Sequence, residues 1–196
     1  LVMKKFLLVF FALAMTITTR GQSASDHMTF KGIPISGSLM EFAQKLSQKG
    51  FTVVQTNDAN VVLVGDFAGY KDCQILLLAT KETKTIYTIG VLLPSSTSWS
   101  LLETNYNALK AMLTQKYGSP KNVVEKFQGI SSGASNDIKM HYLKTDQCTY
   151  SSTFETSNGK ITISLLYLTG EGAHASVTYV DRINNEIAFK RSLDDL

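Results

Sequence analysis

The most explicit chemical pattern in this sequence spans residues 129–133, where GISSG matches the G-x-S-x-G motif of a nucleophile elbow. In that motif a strained turn between a strand and a helix exposes the serine hydroxyl above a parallel sheet. Here small and polar residues continue downstream, no helix is predicted to follow, and the chain lacks the alternating strands and helices of a parallel sheet. We therefore interpret residues 129–133 as a flexible surface loop and assign Ser131 no catalytic role.

The other groups that could act as acids, bases or metal ligands are scattered along the chain. The three histidines, His27, His141 and His174, have no partner at the spacing of a helical metal site. A close pair of carboxylates could perform glycosidase-type chemistry. The candidates by residue type are Asp66, Asp72, Glu82, Asp137, Asp146, Glu155 and Glu171. They fall at predicted strand ends and turns, so the sequence predicts no catalytic residue, no metal ligand and no cofactor site.

The two cysteines, Cys73 and Cys148, leave two alternatives open. In an oxidising compartment, a disulfide between them would close a long loop and stabilise the fold by roughly 4 kcal/mol in the chain-entropy model. Two buried thiols that act as small apolar side chains are the other alternative. The sequence does not decide between them, so the pair stands as a candidate disulfide.

Trp99 is the single tryptophan, and it lies in a run of serine and threonine residues. With Ser100 as the N-cap of the following helix, the Trp99 ring would pack against that helix as a hydrophobic staple. An exposed Trp99 would instead anchor a partner protein. It is therefore also a candidate partner contact.

Residues 1–21 have the features of a cleaved secretory signal. Lys4 and Lys5 precede an apolar stretch at residues 6–17, which as a helix would span about 18 Å, against about 30 Å for a bilayer core. Cleavage after Gly21 is preferred over cleavage after Ala24. The mature chain is therefore expected to be periplasmic or secreted, without stable membrane insertion.

Removal of this segment changes the charge balance of the protein. The segment holds three of the 19 basic residues and none of the 16 acidic residues, so the mature chain is neutral. A neutral chain gives no electrostatic basis for binding nucleic acid, which needs a clustered positive surface.

Two stretches of similar sequence define the predicted architecture. The first, residues 38–50, opens with the serine and glutamate of a capping box, carries an apolar stripe and ends at a glycine. The second, residues 100–118, repeats these features. We interpret them as a tandem repeat, with units at residues 22–97 and 98–196 in one compact domain.

Short runs rich in β-branched and aromatic residues follow each predicted helix. They lie at residues 51–55, 61–64, 73–80 and 85–93 after the first helix, and at 123–127, 137–143, 148–156, 160–168 and 173–181 after the second. A last helix is predicted at 184–193. Sequential, hairpin-like connections predict an α+β fold with helices packed on one face of an antiparallel sheet.

The segments FKGIPISGS (30–38) and LTQKYGSP (113–120) resemble small uncharacterised exported proteins of gut-type bacteria. The predicted order of elements is similar to the architecture of the β-lactamase-inhibitor proteins. This resemblance implies a tandem α+β fold and a scaffold that binds another protein. It maps no functional residue onto this chain.

These observations favour an exported, non-enzymatic protein that binds a protein, a peptide or an envelope component through a concave sheet and its loops. A small periplasmic hydrolase and a structural envelope-assembly factor are the alternatives. A deep pocket of clustered polar side chains would favour the hydrolase, whereas a broad apolar sheet face would favour the binding protein.

Expression of the full chain in a bacterial host tests the predicted export. We expect the protein in the periplasm or medium with Gln22 as its first residue, because signal peptidase cleaves after small residues. Intact-mass spectrometry reads the N-terminus directly. An uncleaved chain retained in the cytoplasm would contradict the assignment.

Overall fold

The computed structural model describes residues 27–80, 82–129, 131 and 133–194, and the predicted signal segment lies outside them. Within the described chain the elements are β1 (Thr29–Phe30), β2 (Ile33–Pro34), α1 (Leu39–Ser47), β3 (Thr52–Thr56), β4 (Asn60–Phe67), β5 (Tyr70–Ala79), β6 (Ile86–Leu92), α2 (Trp99–Tyr117), β7 (Asn122–Phe127), α3 (Asn136–Lys144), β8 (Cys148–Thr156), β9 (Gly159–Leu168), β10 (Gly172–Asp181) and α4 (Arg182–Asp194).

Strands β3 to β10 form one antiparallel sheet in the order β3-β4-β5-β6-β10-β9-β8-β7. Consecutive strands pair within each half of the chain, and the two sets of four strands meet in the ladder between β6 and β10. The short strands β1 and β2 form a separate hairpin. The predicted α+β class is confirmed.

Helix α1 forms where the sequence predicts it. The Ser38 hydroxyl accepts a hydrogen bond from the Glu41 N–H, and the Glu41 carboxylate accepts one from the Ser38 N–H. This capping box satisfies two backbone donors that the helix leaves without partners. The buried stripe consists of Leu39, Phe42, Ala43 and Leu46.

Helix α2 begins earlier than the sequence predicts. Its N-cap is Ser98, whose hydroxyl accepts from the Leu101 N–H, so the expected N-cap Ser100 lies inside the helix. Trp99 is the first helical residue. The buried side chains of α2 are Trp99, Leu102, Tyr106, Leu109 and Leu113.

The strand predicted at residues 137–143 is wrong, because this segment is helix α3. Ser135 caps the helix by accepting from the Ile138 N–H, and Asp137 in the first turn interacts favourably with the helix dipole. The side chains buried from α3 are Met140 and Leu143, three residues apart, which is helical spacing. The order of elements in the second half therefore includes a helix between β7 and β8.

One face of the large sheet, which we call the core face, is covered over its central strands, whereas Val53 and Val123 on the edge strands β3 and β7 are exposed. Its strand residues include Val61, Leu63, Ile75, Leu77, Ile89, Val91, Phe154, Ile161, Ile163, Ala175 and Val177, each essentially inaccessible to solvent. Helix α2 packs here through the edge-to-face contact of Trp99 on Tyr150. The β1–β2 hairpin packs here through the contact of Phe30 on Tyr179.

The turn between β8 and β9 depends on Gly159. Its φ of +155° is rare for residues with a side chain, and a Cβ at this position would collide with the Val180 carbonyl oxygen. The backbone of the turn therefore lies directly against β10.

Substitution of Gly159 tests this close approach. We expect Gly159→Ala to lower the free energy of unfolding by roughly 3 kcal/mol, since it adds a steric clash to backbone strain. The matched control Gly170→Ala also has a positive φ, but its Cβ would enter open space among the described residues. The control should cost only about 1–2 kcal/mol, and equal urea-denaturation midpoints for the two variants would contradict the close packing.

Candidate binding surface

The face of the sheet opposite the core face, which we call the open face, is only half-buried. On β5, Leu76 and Leu78 are half-buried and alternate with the fully buried Ile75 and Leu77. Because successive side chains of a strand point to opposite faces, this alternation separates the two faces along the strand. The same pattern recurs on β4 and β9.

On β4, β5 and β6 the open face carries aliphatic side chains, interrupted by Gln74 between Val64 and Leu92 and by Thr88 beside Leu78. The ladder places Val62 beside Leu76, and Leu76 beside Gly90, whose missing side chain leaves the neighbouring leucine uncovered on that side. The half-buried aliphatic residues of this part are Val62, Val64, Leu76, Leu78 and Leu92. They form an apolar patch across three strands.

On β8, β9 and β10 the open face carries hydroxyl groups instead. One row across these strands consists of Ser151, Ser164 and Ser176, and the next consists of Thr153, Thr162 and Thr178. The Thr153 and Thr162 hydroxyls lie 3.3 Å apart, and the Ser176 hydroxyl donates to the Ser164 carbonyl at 3.1 Å. Ser176 is 4% exposed, so the accessible uncharged donors and acceptors beside the aliphatic patch come from the half-buried members of the two rows.

Charged side chains lie around the border of the open face. Lys160 pairs with Val180 and with Glu155 in the ladders at one end, and Lys126 is exposed on the edge strand β7. Helix α4 lines a groove of 330 Å³ together with Lys160 and Val180. Thus α4 borders the open face, whereas α2 packs on the core face.

A buried carboxylate at the end of β10 fixes α4 and the start of the described chain. Asp181 accepts hydrogen bonds from the backbone N–H of Met28 at 2.7 Å and of Asn184 at 2.8 Å, and it contacts the His27 ring at 3.0 Å. The Asn184 amide donates to backbone carbonyls in β6 and in the segment before α1. These hydrogen bonds satisfy the oxygens of a fully buried carboxyl group.

The core face contains one polar network that the sequence does not reveal. The Tyr106 hydroxyl lies 2.6 Å from the Ser152 hydroxyl and donates to Glu125 at 3.1 Å, while Lys110 donates to the same carboxylate oxygen at 2.6 Å. Burial raises the pKa of Tyr106 well above its usual value, although the Ser152 hydrogen bond opposes the shift. The tyrosine stays protonated and holds α2 against β7 and β8.

Trp99 is not the exposed anchor for a partner protein that one of the two sequence interpretations required. Its side chain is 1% exposed, and its ring packs on Phe127 and Tyr150 at centroid distances of 5.2 and 5.1 Å. The Lys139 ammonium lies 5.8 Å from the ring. Trp99 is therefore a core residue inside α2 whose ring packs on β7 and β8, so neither the expected staple against α2 nor the exposed partner contact is found.

The candidate disulfide between Cys73 and Cys148 does not form; both thiols are free and buried. Three strands separate β5 from β8 in the sheet, which places the two residues about 19 Å apart at about 4.8 Å per strand. A disulfide needs Cα atoms within about 7 Å. Burial raises the pKa of Cys148 to about 12 and also raises that of Cys73.

The G-x-S-x-G segment and the histidines are not brought together. Ser131 is exposed in the loop after β7, and contrary to our expectation a helix does follow it, at α3. His141 is exposed on that helix, and not on a strand as predicted. His174 is buried in β10, where its Nδ1 lies 2.7 Å from the Leu93 carbonyl oxygen. His27 contacts Asp181, so each histidine has a separate environment.

The seven candidate carboxylates are exposed and dispersed over turns, strand ends and α3. Asp66 forms a surface ion pair with Lys71 at 2.5 Å, and a hydrogen bond from Lys71 lowers the pKa of Asp66. Among the described residues, no group of three or more histidine, cysteine or acidic side chains is arranged to hold a metal ion.

The residues of the open face were not singled out by sequence reasoning. Their signal was present in the alternation along β5, where Leu76 and Leu78 alternate with Ile75 and Leu77, but all four side chains are apolar. An apolar run in a strand does not show which side faces solvent. The strand order was needed to place Leu76 and Thr178 on the same face.

Comparison with known proteins gives no relative on which to base a function: no protein-family model, no curated protein and no solved structure matches this chain. Across the described residues, none of the helices has both the length and the apolar character needed to span a bilayer.

Thiol labelling tests the burial of both cysteines. We expect the native protein to react negligibly with Ellman's reagent at pH 8, because both thiols are buried and their raised pKa values suppress the reactive thiolate. After unfolding in urea without a reductant, two thiols per chain should react. Zero thiols after unfolding would instead show that Cys73 and Cys148 are oxidised.

Proposed function

We propose that this chain is an exported, non-enzymatic binding protein whose open face docks against a partner polypeptide. The observation that carries the proposal is the contrast between the two faces of one sheet. The core face is largely buried from β4 across to β8, while the open face leaves aliphatic side chains such as Leu76 and Leu78 half-buried on the same strands. Contiguous exposed apolar surface of this kind is typical of interaction sites.

The composition of the open face fits a polypeptide partner. Its centre combines an aliphatic patch with uncharged hydroxyl rows, and its charged residues, such as Lys160 and Lys126, lie at the border. Protein interfaces have the same arrangement, with a core depleted in charge and a polar rim. The six strands from β4 to β8 span about 24 Å, which suits a protein surface, whereas small ligands prefer concave pockets.

The proposal includes the export of the chain and the relation between its two halves. Each half has a helix before its four strands of the large sheet, the second half has the additional helix α3 between β7 and β8, and the strand order is symmetric about the β6–β10 ladder. This symmetry supports two copies of one ancestral unit and the similarity to the architecture of the β-lactamase-inhibitor proteins. The likeness is one of layout, and it favours a protein as the partner.

Site-specific photo-crosslinking tests the proposed docking face. A benzoylphenylalanine placed at Leu76 or at Thr178 should give one discrete adduct in the compartment to which the chain is exported, because both positions lie at the interface. The matched control is Leu101, which is 50% exposed on α2. It should give no adduct, since α2 lies on the other side of the sheet.

Mass spectrometry of the adduct identifies the partner. A single protein crosslinked from both sheet positions supports the proposal. No adduct from either sheet position, or the same adduct from Leu101, would show that the open face is not the docking surface.

A further inference from the structure

A second, separate site lies at the far end of the sheet, between α3 and the turn that joins β9 to β10. It is a cavity of 340 Å³ whose lining includes Met140, Lys144, Tyr167 and Glu171 together with the loop of residues 95–97. This volume falls within the range of about 300–1,000 Å³ that small-molecule sites occupy. The cavity includes residues 95–97 of the serine-rich run that precedes Trp99. These residues are not part of the open face.

The wall formed by residues 95–97 is held firmly against β10. Leu93 N–H donates to the Ala175 carbonyl at 3.0 Å, and Ser96 N–H donates to the Ala173 carbonyl at 2.9 Å. His174, which is buried, lies within 2.7 Å of the Leu93 carbonyl oxygen and adds a side-chain contact to the same segment. The wall is therefore positioned before any ligand arrives, which reduces the entropy cost of binding.

The floor of the cavity is apolar and its rim is polar. Met140 and Ala173 are 7% and 2% exposed and supply the floor, where a methionine side chain can adapt to different apolar groups. The hydroxyl-bearing residues Ser95 and Thr97 line the rim. Gly172 lies opposite Ser95, and a Cβ added there would come within 3.3 Å of the Ser95 Cβ, so the glycine keeps this end open.

Two opposite charges line the same cavity without forming an ion pair with each other. Lys144 projects from α3, one helical turn after Met140, and its ammonium lies 5.9 Å from the centre of the Tyr167 ring. Glu171 lies on the turn between β9 and β10. The ion pairs found among the described residues do not include one between Lys144 and Glu171. Each charge is therefore available to a group of opposite sign.

We propose that this cavity binds a small zwitterion, a free amino acid or dipeptide with an apolar side chain. Lys144 takes the carboxylate, Glu171 takes the ammonium group, and the apolar side chain rests on Met140 and Ala173. The hydroxyls of Ser95 and Thr97 complete the hydrogen bonds of the ligand. Because both charged residues are exposed, solvent screens the ion pairs and binding is weak, with a dissociation constant in the millimolar range.

Titrations of the ¹⁵N-labelled protein with leucine and with the dipeptide Ala-Leu test this site and separate the two ligand sources. We expect saturable shifts of amide signals within residues 140–144 and 167–173. N-acetyl-leucine amide, which keeps the apolar side chain and lacks both charges, is the matched ligand control and should shift these signals negligibly.

Charge-removing variants give the second arm of the test. Lys144→Gln and Glu171→Gln should each weaken binding at least about fivefold, since each removes one ionic partner. The matched controls Lys49→Gln and Glu82→Gln remove the same charges from exposed positions outside the cavity and should leave the affinity unchanged. All four sites are exposed, so these variants are expected to keep the fold.

The proposal fails if neither leucine nor Ala-Leu shifts the cavity signals at 50 mM. It also fails if the uncharged amide binds equally well, or if Lys144→Gln and Glu171→Gln bind like the wild type. Binding of a neutral disaccharide in place of the zwitterions would assign the cavity to another ligand class and would likewise overturn it. None of these results bears on the docking face, which is a different surface.

Discussion

The antiparallel ladder between β6 and β10 is the contact on which the rest of the structure depends. It is the place where the four strands of the first half meet those of the second half, and it turns two small sheets into one. On the core face this ladder carries fully buried pairs such as Val91 beside Val177. On the open face this ladder places the aliphatic patch next to the hydroxyl rows, so the two parts form one continuous surface.

The two faces divide the physical tasks of the molecule. The core face stabilises the fold by apolar burial, by the ring cluster around Trp99 and by the hydrogen bonds of Tyr106. Because the core face supplies this stabilisation, the fold does not require the half-buried leucines and short hydroxyl side chains of the open face to be fully buried. Because the open face is built on regular strands, its side chains would need little ordering if the proposed partner binds there.

The parts of the fold that could be predicted from the sequence are those with local signals. The capping box and apolar stripe of α1 lie within one stretch of chain, and Gly159 indicates the hairpin between β8 and β9. The error at α3 has a local cause as well, because Ile138, Met140 and Tyr142 alternate as in a strand. The helix signal was Ser135, three residues before the N–H that it caps.

Features that depend on contacts between distant residues could not be predicted in this way. The pairing of β6 with β10 joins residues that are far apart in sequence, and no local pattern indicates it. That pairing decides the distance between Cys73 and Cys148 and the face on which Leu76 and Thr178 lie. Trp99 shows the same limit, because its burial comes from Phe127 and Tyr150 on strands β7 and β8.

The proposed docking requires that the open face is accessible in the isolated protein and covered in the cell. Single cysteines placed at Leu76 and Thr178 measure this when maleimide labelling is compared between the purified chain and intact cells that produce it. We expect rapid labelling of both positions in the purified chain and protection of both in cells, with a cysteine at Leu101 labelled in each case. If the cysteines at positions 76 and 178 are labelled as rapidly in cells as in the purified chain, the open face is not covered and the proposed docking is wrong.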